Sequence, residues 1–316
     1  MTGPRDLRLI TKSHFPRDQS PIQFISTIGA KMNGDTGNKT AFVLGGGGAL
    51  GGYEVGMLRA LLEAGIHPDL IVGTSIGSIQ GAMAAADPTL SGVTAMTEMW
   101  VEFVTEKVMK TSPLHAASNM VHSHSHYGSS DALHKLVVEC LGEQTRFEDL
   151  TVPFQCAATS IEKCAARYFD SGPLVPAVMA SCAVPGLWPA VELDGQHFFD
   201  GGLVDSIPIG RAIELGANLI YVLHVGRIEQ PLKVPNLPWE VASVCFEISR
   251  RHGFMDVMNT IPEGVTVHVM PSGEDPDAPH HKKLLESTSN QLKHVFATID
   301  HGYVASAEYL RTAAIS

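Results

Sequence analysis

The sequence predicts a three-layer α/β fold, in which one mainly parallel sheet lies between two layers of helices. Two observations support this prediction: short apolar runs recur along the chain, and stretches with helical periodicity separate them. Strands that alternate with helices are joined by crossover connections, which give parallel neighbours and place helices on both faces of the sheet. The length of 316 residues suits one such domain with a full core.

The clearest alternation of strands and helices begins at residue 40. Residues 40–44 are an apolar run that predicts a buried strand, and four glycines follow it. Leucine and valine then recur at helical spacing up to Gly65, which we expect to end the helix. Residues 69–72 predict a second buried strand, and the alanine-rich residues 78–86 predict the next helix. This order predicts a βαβ unit with parallel strands.

The rest of the chain continues the alternation. Helices are predicted at 93–108, 130–141 and 172–182, and strands at 153–159, 219–223 and 265–270. An Asp-Gly pair between two apolar runs predicts a type I′ hairpin over residues 191–199. Pro208 predicts the start of a helix, with Asp205 or Ser206 placed to cap it.

Composition excludes several classes of protein. Lys and Arg number 22 against 33 Asp and Glu, a net charge of −11 that argues against a nucleic-acid partner. An apolar fraction of 44% with 17% charged residues excludes a disordered chain. The five cysteines include no CxxC pair, which argues against a disulfide framework or a zinc site. With no secretory signal and no bilayer-spanning apolar run, we expect a cytoplasmic protein, peripheral to membranes at most.

The strongest chemical signal is Gly73-Thr74-Ser75-Ile76-Gly77, between a predicted strand and a predicted helix. It fits the G-x-S-x-G pattern, in which a tight turn exposes a serine at the carboxyl edge of a sheet. Glycines on both sides of the serine keep side chains from colliding, and the amino end of the helix favours negative charge. The pattern predicts that Ser75 is a nucleophile, and the alternative is a serine that only caps the helix.

A second signal is the run of glycines after the first strand, where Gly46, Gly48 and Gly51 satisfy G-x-G-x-x-G. Since this is also the dinucleotide fingerprint, a dinucleotide-binding oxidoreductase is an alternative function. A dinucleotide site needs an acidic residue at the carboxyl end of the next strand, whereas Asp69 lies at its start. The N–H groups of Gly46, Gly47 and Gly48 can converge because no Cβ obstructs them, so we expect an oxyanion hole.

The third signal is Asp200-Gly201-Gly202, directly after an apolar strand end. A carboxylate that leaves a strand at a glycine turn can point into a cleft, although an ordinary turn aspartate is the alternative. Two other aspartates nearby have local explanations. Asp194 belongs to the hairpin turn, and Asp205 precedes the predicted helix that it could cap.

Together the three motifs, in this order, resemble the patatin-like phospholipase family. The segment 180–186 and the Asp-Gly hairpin before Asp200 are also similar to bacterial members of that family. The resemblance extends from about Ala41 to Pro208, over half of the chain.

The resemblance implies a Ser-Asp dyad, with Ser75 as nucleophile and Asp200 as its proton acceptor. Gly46, Gly47 and Gly48 are then the oxyanion donors. The implied activity is hydrolysis of acyl esters of lipids, without metal or cofactor, in transient contact with a membrane or lipid aggregate. A catalytically silent lipid-binding protein is a further alternative.

One position departs from the family pattern, and it bears on the substrate. The family usually has Arg or Lys where this chain has Leu50. If that cation binds a phosphate head group, its absence favours neutral esters or lysolipids over phospholipids, and if the cation is only structural, the substrate preference is unaffected. By these signals residues 1–38 are predicted as a flexible N-terminal arm and 39–215 as the patatin-like catalytic core. Residues 216–316 are predicted to complete the same domain.

Histidines offer a different catalytic alternative. An α/β-hydrolase triad needs a histidine after the acid, and His224, at a predicted strand end, is the best candidate, followed by His252. His122, His124 and His126 alternate in a serine-rich stretch that we expect to be a solvated loop rather than a metal site.

Overall fold

An eight-stranded sheet forms the centre of the computed structural model, which describes residues 37–106, 108, 128–225, 231–236, 238–273 and 288–315. The strands are β1 Thr40–Leu44, β2 Leu70–Thr74, β3 Phe154–Ser160, β4 Ala165–Phe169, β5 Val191–Leu193, β6 Gln196–Asp200, β7 Leu219–Leu223 and β8 Thr266–Val269. Their order is β5-β6-β3-β2-β1-β7-β8, and β4 also pairs with β3. The five strands from β3 to β8 along this order are parallel, while β4, β5 and β6 pair antiparallel at the other end.

Helices cover both faces of this sheet. They are α1 Gly52–Glu63, α2 Ile76–Ala86, α3 Leu90–Thr105, α4 Asp131–Leu141, α5 Leu174–Ser181, α6 Ile209–Glu214, α7 Pro238–Met258 and α8 Thr288–Ile315. Side chains alternate along β1: Phe42 and Leu44 pack with the larger core cluster, while Ala41 and Val43 pack with a second cluster. The second cluster includes residues of α6 and α7. The predicted three-layer fold is therefore confirmed, because one strand buries both of its faces.

The edge of β3 positions the site. Its first half pairs parallel with β2, with Thr74 opposite Ala157. Its second half pairs antiparallel with β6, with Asp200 opposite Ala158, while β4 occupies the other edge. Strands β2 and β6 therefore meet end to end along one edge of β3. Their carboxyl ends face each other, and the residues at those ends become neighbours.

Most of the predicted elements are confirmed, with two corrections. Strand β4 was not predicted, because its five residues are partly exposed and follow β3 after a short turn, so they give no long apolar run. The predicted cap of α6 is wrong: the helix begins after Pro208, and neither Asp205 nor Ser206 donates or accepts a capping bond. Instead, Asp205 accepts a hydrogen bond from the Tyr168 hydroxyl.

Two predictions fall largely or wholly outside the described residues. These are the N-terminal arm, of which residues 37 and 38 are described, and the loop with His122, His124 and His126. The division into an arm, a core and a C-terminal completion stays a prediction, although β7 and β8 join the same sheet as β1. In the part of the chain that is described, no helix combines the length and apolar character needed to cross a membrane.

Candidate active site

Ser75 lies on a strained turn between β2 and α2. Its backbone angles, φ 57° and ψ −126°, belong to a region that side-chain-bearing residues rarely adopt. The flanking glycines make the turn possible. A methyl group on Gly73 would lie 2.3 Å from the Gly77 carbonyl oxygen, and one on Gly77 would lie 2.4 Å from the Leu44 carbonyl oxygen. The turn predicted from G-x-S-x-G is therefore present, and its glycines are required by backbone contacts.

Three side chains hold the backbone of Ser75 in this conformation. Its N–H donates to Ser181 Oγ at 2.9 Å, and Ser181 Oγ donates to the carbonyl of Ala157 on β3 at 2.6 Å. Its carbonyl accepts from Ser78 Oγ at 2.6 Å and from the Cys182 thiol at 3.2 Å. Burial raises the pKa of that thiol, so it keeps the proton that it donates. Strain of this kind persists where neighbouring groups fix the backbone on both sides.

Sequence reasoning did not find this set of contacts. The segment 180–186 was noted for its similarity to the family, but nothing in the sequence showed which atom Ser181 or Cys182 would contact. The signal that could have found them is the pair of small polar residues at the end of an otherwise apolar predicted helix. Such residues usually have a hydrogen-bonding reason to be buried.

Asp200 faces the hydroxyl of Ser75. Ser75 Oγ donates to Asp200 Oδ2 at 2.6 Å, and the N–H of Gly202 donates to Asp200 Oδ1 at 2.8 Å. The aspartate is completely buried, and this burial raises its pKa to about 6 against the opposing effect of the two hydrogen bonds. The sheet edge also holds its backbone, since the Asp200 carbonyl accepts from Thr159 Oγ1 at 2.8 Å. A buried carboxylate with this pKa can accept a proton near neutral pH.

The glycine loop packs beside Ser75, but its amides are not equivalent. The N–H of Gly46 donates to the carbonyl of Ser206 at 2.9 Å, so this amide is already used. The N–H groups of Gly47 and Gly48 donate to no group within the described residues. Gly48 has a φ of 54°, which favours glycine, and it lines the same pocket as Ser75. Of the three predicted donors, Gly47 and Gly48 have N–H groups left for a ligand.

The other motif glycines are contact residues rather than ligand-facing groups. A methyl group on Gly51 would lie 2.6 Å from Gln80 Nε2 on α2. One on Gly201 would lie 2.2 Å from the Ala157 carbonyl oxygen, and one on Gly202 would lie 2.3 Å from the ring of Phe246. These glycines let the backbone approach its neighbours closely, which places the loop and the Asp200 turn.

An apolar pocket opens beside the pair of Ser75 and Asp200. Its wall includes Gly48, Ser75 and Cys182. The remaining wall is apolar and consists of Ile76, Ile79, Phe103, Leu133, Val184 and Trp188. A concave wall of apolar side chains with a few polar groups is typical of small-molecule sites. The pocket thus offers polar groups beside Ser75 and an apolar wall around the rest.

The histidines proposed for a triad do not join this site. His224 follows β7, and its Nδ1 atom contacts the Val225 carbonyl oxygen at 3.5 Å. Burial, helped by the charge of Arg250, lowers the His224 pKa to about 4. His252 lies largely exposed on α7. The contacts described for Asp200 include neither histidine.

The acidic residues that competed with Asp200 have other partners. Asp69 Oδ2 accepts from the N–H of Thr40 at 2.8 Å, at the sheet edge opposite the glycine loop. A dinucleotide site needs its acidic residue at the same edge as the glycine loop. Asp194 has φ 52° and Gly195 has φ 72°, as the predicted type I′ turn requires. Within the described ranges, no three His, Cys, Asp or Glu side chains form a cluster that could hold a metal ion.

Comparisons with known proteins identify the family of this chain. The profile described as "Patatin-like phospholipase" matches residues 42–213, more than half of the chain. Patatin-like phospholipase domain-containing protein 7 from Rattus norvegicus is 34% identical over 193 residues, covering 60% of this chain and 14% of the rat protein. Lysophospholipase NTE1 from Coccidioides immitis is 32% identical over 203 residues, covering 61% of this chain and 12% of the fungal protein.

The chain thus spans about one seventh or less of the length of these curated relatives. Among solved structures, VipD from Legionella pneumophila has 14% identity and a TM-score of 0.47, covering 87% of this chain and 67% of VipD. Because the family profile matches residues 42–213, more than half of the chain, this chain belongs to the patatin-like phospholipase family.

Proposed function

We propose that this protein is a lipid acyl hydrolase, which cleaves carboxylic esters with Ser75 as nucleophile and Asp200 as general base. The observation that carries the proposal is the 2.6 Å hydrogen bond from Ser75 Oγ to the buried Asp200 carboxylate. A serine hydroxyl is a weak nucleophile until an adjacent base accepts its proton, and here the base is in direct contact. Membership of a family described as phospholipases supports the same activity.

The first half of the reaction forms an acyl-enzyme. Ser75 Oγ attacks the ester carbonyl carbon while its proton moves to Asp200 Oδ2, and the carbonyl oxygen becomes an oxyanion. When the intermediate collapses, the bond to the leaving alcohol breaks, and Asp200 returns the proton to the alcohol oxygen. The carboxylate is then ionised again, and the acyl group stays on Ser75.

The second half releases the acid. A water molecule in the place of the alcohol gives its proton to Asp200 as its oxygen attacks the acyl carbon. Collapse of this second intermediate breaks the bond to Ser75 Oγ, which recovers the proton from Asp200. One water is consumed for each ester bond, and the enzyme returns to its starting state.

The oxyanion of both intermediates needs hydrogen-bond donors. We assign this role to the N–H groups of Gly47 and Gly48, and we assign Gly46 to anchoring the loop through its bond to Ser206. Helix α2 begins directly after Ser75, so its amino end adds a favourable field. Donors that are already fixed in place before the reaction stabilise the transition state more than donors that must reorient.

The pocket supports a lipid substrate. Its apolar wall suits an acyl chain, and the relative from Coccidioides immitis is named a lysophospholipase. We propose an acyl lipid or a shorter ester as the substrate class, bound during transient contact with a lipid surface by a cytoplasmic protein. No step of this mechanism uses a metal, so we expect hydrolysis to continue in EDTA.

A fluorophosphonate probe tests the nucleophile, because it phosphonylates activated serines. We expect one label per chain, mapped to Ser75 by peptide mass spectrometry, and loss of both labelling and ester hydrolysis in Ser75→Ala. Ser171→Ala is a matched control, since Ser171 Oγ also donates to an aspartate, Asp170, at 3.1 Å but lies on an exposed turn. An unlabelled wild-type protein, or a label on another serine, would contradict the proposal.

A further inference from the structure

Helix α7 lies outside the residues that match the family, contacts the Asp200 turn directly and reaches the glycine loop through Val225. Three side chains on one face of this helix make the contacts. The ring of Phe246 packs against Gly202, where an added methyl group would lie 2.3 Å away. Ser249 Oγ donates to the Leu203 carbonyl at 2.5 Å in the same turn. Arg250 reaches the other side, toward the glycine loop.

Arg250 is buried, and each of its three side-chain nitrogens has a hydrogen-bond partner. Its side chain is 3% exposed, and its Nε and Nη2 atoms bind the two carboxylate oxygens of Glu247 at 3.0 and 2.9 Å. Its Nη1 atom donates to the carbonyl of Val225 at 3.0 Å. A buried arginine is costly unless its donors are satisfied, and removing one partner of such a pair is strongly destabilising locally. The fixed fork of the guanidinium therefore joins α7 rigidly to the segment after β7.

Val225 transfers this constraint to the glycine loop. A methyl group on Gly47 would lie 1.7 Å from Val225 Cγ2, so the valine side chain rests directly against the Gly47 backbone. Two residues before Val225, at the end of β7, the Leu223 carbonyl accepts from the N–H of Gly45 at 2.9 Å. The Leu223 carbonyl and the Val225 side chain thus both contact the backbone of the glycine loop that carries the amides of Gly47 and Gly48.

We propose that Arg250 is a positioning residue for the oxyanion donors. It fixes Val225, and Val225 fixes Gly47, so the loop stays in place when charge develops on the substrate. The inference rests on the proposed hydrolase function and adds to it a part of the site that lies beyond the family-matched residues. Because Arg250 acts on the oxyanion loop and does not touch Asp200, its loss should slow the chemical step without changing the base.

The test compares Arg250→Met with wild type on a soluble p-nitrophenyl ester. We expect kcat to fall by about 10- to 100-fold, the range for a displaced donor, while KM stays within about twofold. The pH midpoint of kcat/KM should not move. Arg59→Met is the control for losing an arginine from a helical ion pair, because Arg59 pairs with Glu63 at an exposed site on α1, and we expect wild-type kinetics from it.

Two further variants keep the inference testable if Arg250→Met folds poorly. Arg250→Lys retains the charge and can still reach the Val225 carbonyl, so we expect at least partial recovery of kcat over Arg250→Met. Val225→Ala should lower kcat in the same way. Adding Arg250→Lys to Val225→Ala should lower kcat by a smaller factor than Arg250→Lys does in wild type, since both changes act through Val225.

The outcomes separate this inference from the function on which it rests. If wild type is labelled at Ser75 and the Arg250 and Val225 variants keep full kcat, Arg250 is only structural and the inference is overturned. A fall in kcat that Arg59→Met shows equally, or a shifted pH midpoint, also overturns it. A wild-type protein that no fluorophosphonate labels overturns the proposed function itself.

Discussion

Asp200, which is fully buried, and Asp205, which is half-buried, lie close together in the chain and face different hydroxyl groups. Burial raises the pKa of Asp200 and that of Asp205 to about 6. Asp200 accepts from Ser75 on a strained turn, whereas Asp205 accepts from Tyr168 on β4. Burial and the charge of Asp205 raise the pKa of the Tyr168 phenol, so that hydroxyl keeps its proton. A raised carboxyl pKa alone therefore does not identify a general base, and the identity of its partner does.

Replacing each aspartate by asparagine tests this comparison most strongly. Asp200→Asn should lower kcat by about 10²- to 10⁴-fold, because the amide cannot accept the serine proton. Asp205→Asn should keep kcat within about threefold, since an amide oxygen still accepts from Tyr168. Steady-state kinetics on one ester measure both, with circular dichroism as the control for folding. Equal losses of kcat in the two variants would show that both carboxylates contribute to catalysis.

The pH dependence should follow Asp200 and not Asp205. The ionised carboxylate is the form that accepts a proton, and burial places its pKa at about 6. We therefore expect kcat/KM to be level above that pH and to fall about tenfold per pH unit below it. The midpoint should be unchanged in Asp205→Asn. A midpoint that moves in Asp205→Asn would show that Asp205, and not Asp200, sets the pH dependence of kcat/KM.

A charge placed near the Ser75 region should change substrate choice. Leu50 follows Gly48 in the glycine loop and packs partly buried against the main core cluster. We expect wild type to prefer neutral esters to phospholipids of matched chain length, and Leu50→Arg to narrow the gap by about fivefold, the worth of a partly screened ion pair. Leu50→Met is the apolar control. Equal turnover of both substrates by wild type would remove position 50 from head-group choice.

The smallest effect is expected at the buried histidine. His224 has its pKa lowered to about 4, so it is neutral at pH 7, and its ring contacts the Val225 carbonyl rather than Asp200. His224→Ala should keep kcat/KM within about threefold, and His252→Ala should behave like wild type. Ester hydrolysis by purified variants measures this. A His224→Ala protein as inactive as Asp200→Asn would mean a triad instead of a dyad.

Local sterics made the turns predictable from the sequence. Gly73 and Gly77 flank Ser75 because a Cβ at either position would meet backbone, and that requirement depends only on neighbouring residues and the adjoining strand. The Asp-Gly hairpin was predictable for the same reason, since both of its residues need a positive φ. Apolar runs and helical periodicity likewise predicted most strands and helices, because they record which side faces the core.

The tertiary structure alone decided which residues from distant parts of the chain contact one another. Ser75 and Asp200 are 125 residues apart and become partners because β2 and β6 share one edge of β3. Strand register between distant segments is set by packing, which no local pattern records. For the same reason, three other contacts could not be predicted from the sequence. They are the hydrogen bond that occupies the Gly46 amide, the bond between Ser181 and the Ser75 backbone, and the bond from Arg250 to Val225. The sequence by itself determined the reactive turns and the fold class. Long-range packing decided which amides and carboxylates those turns can use.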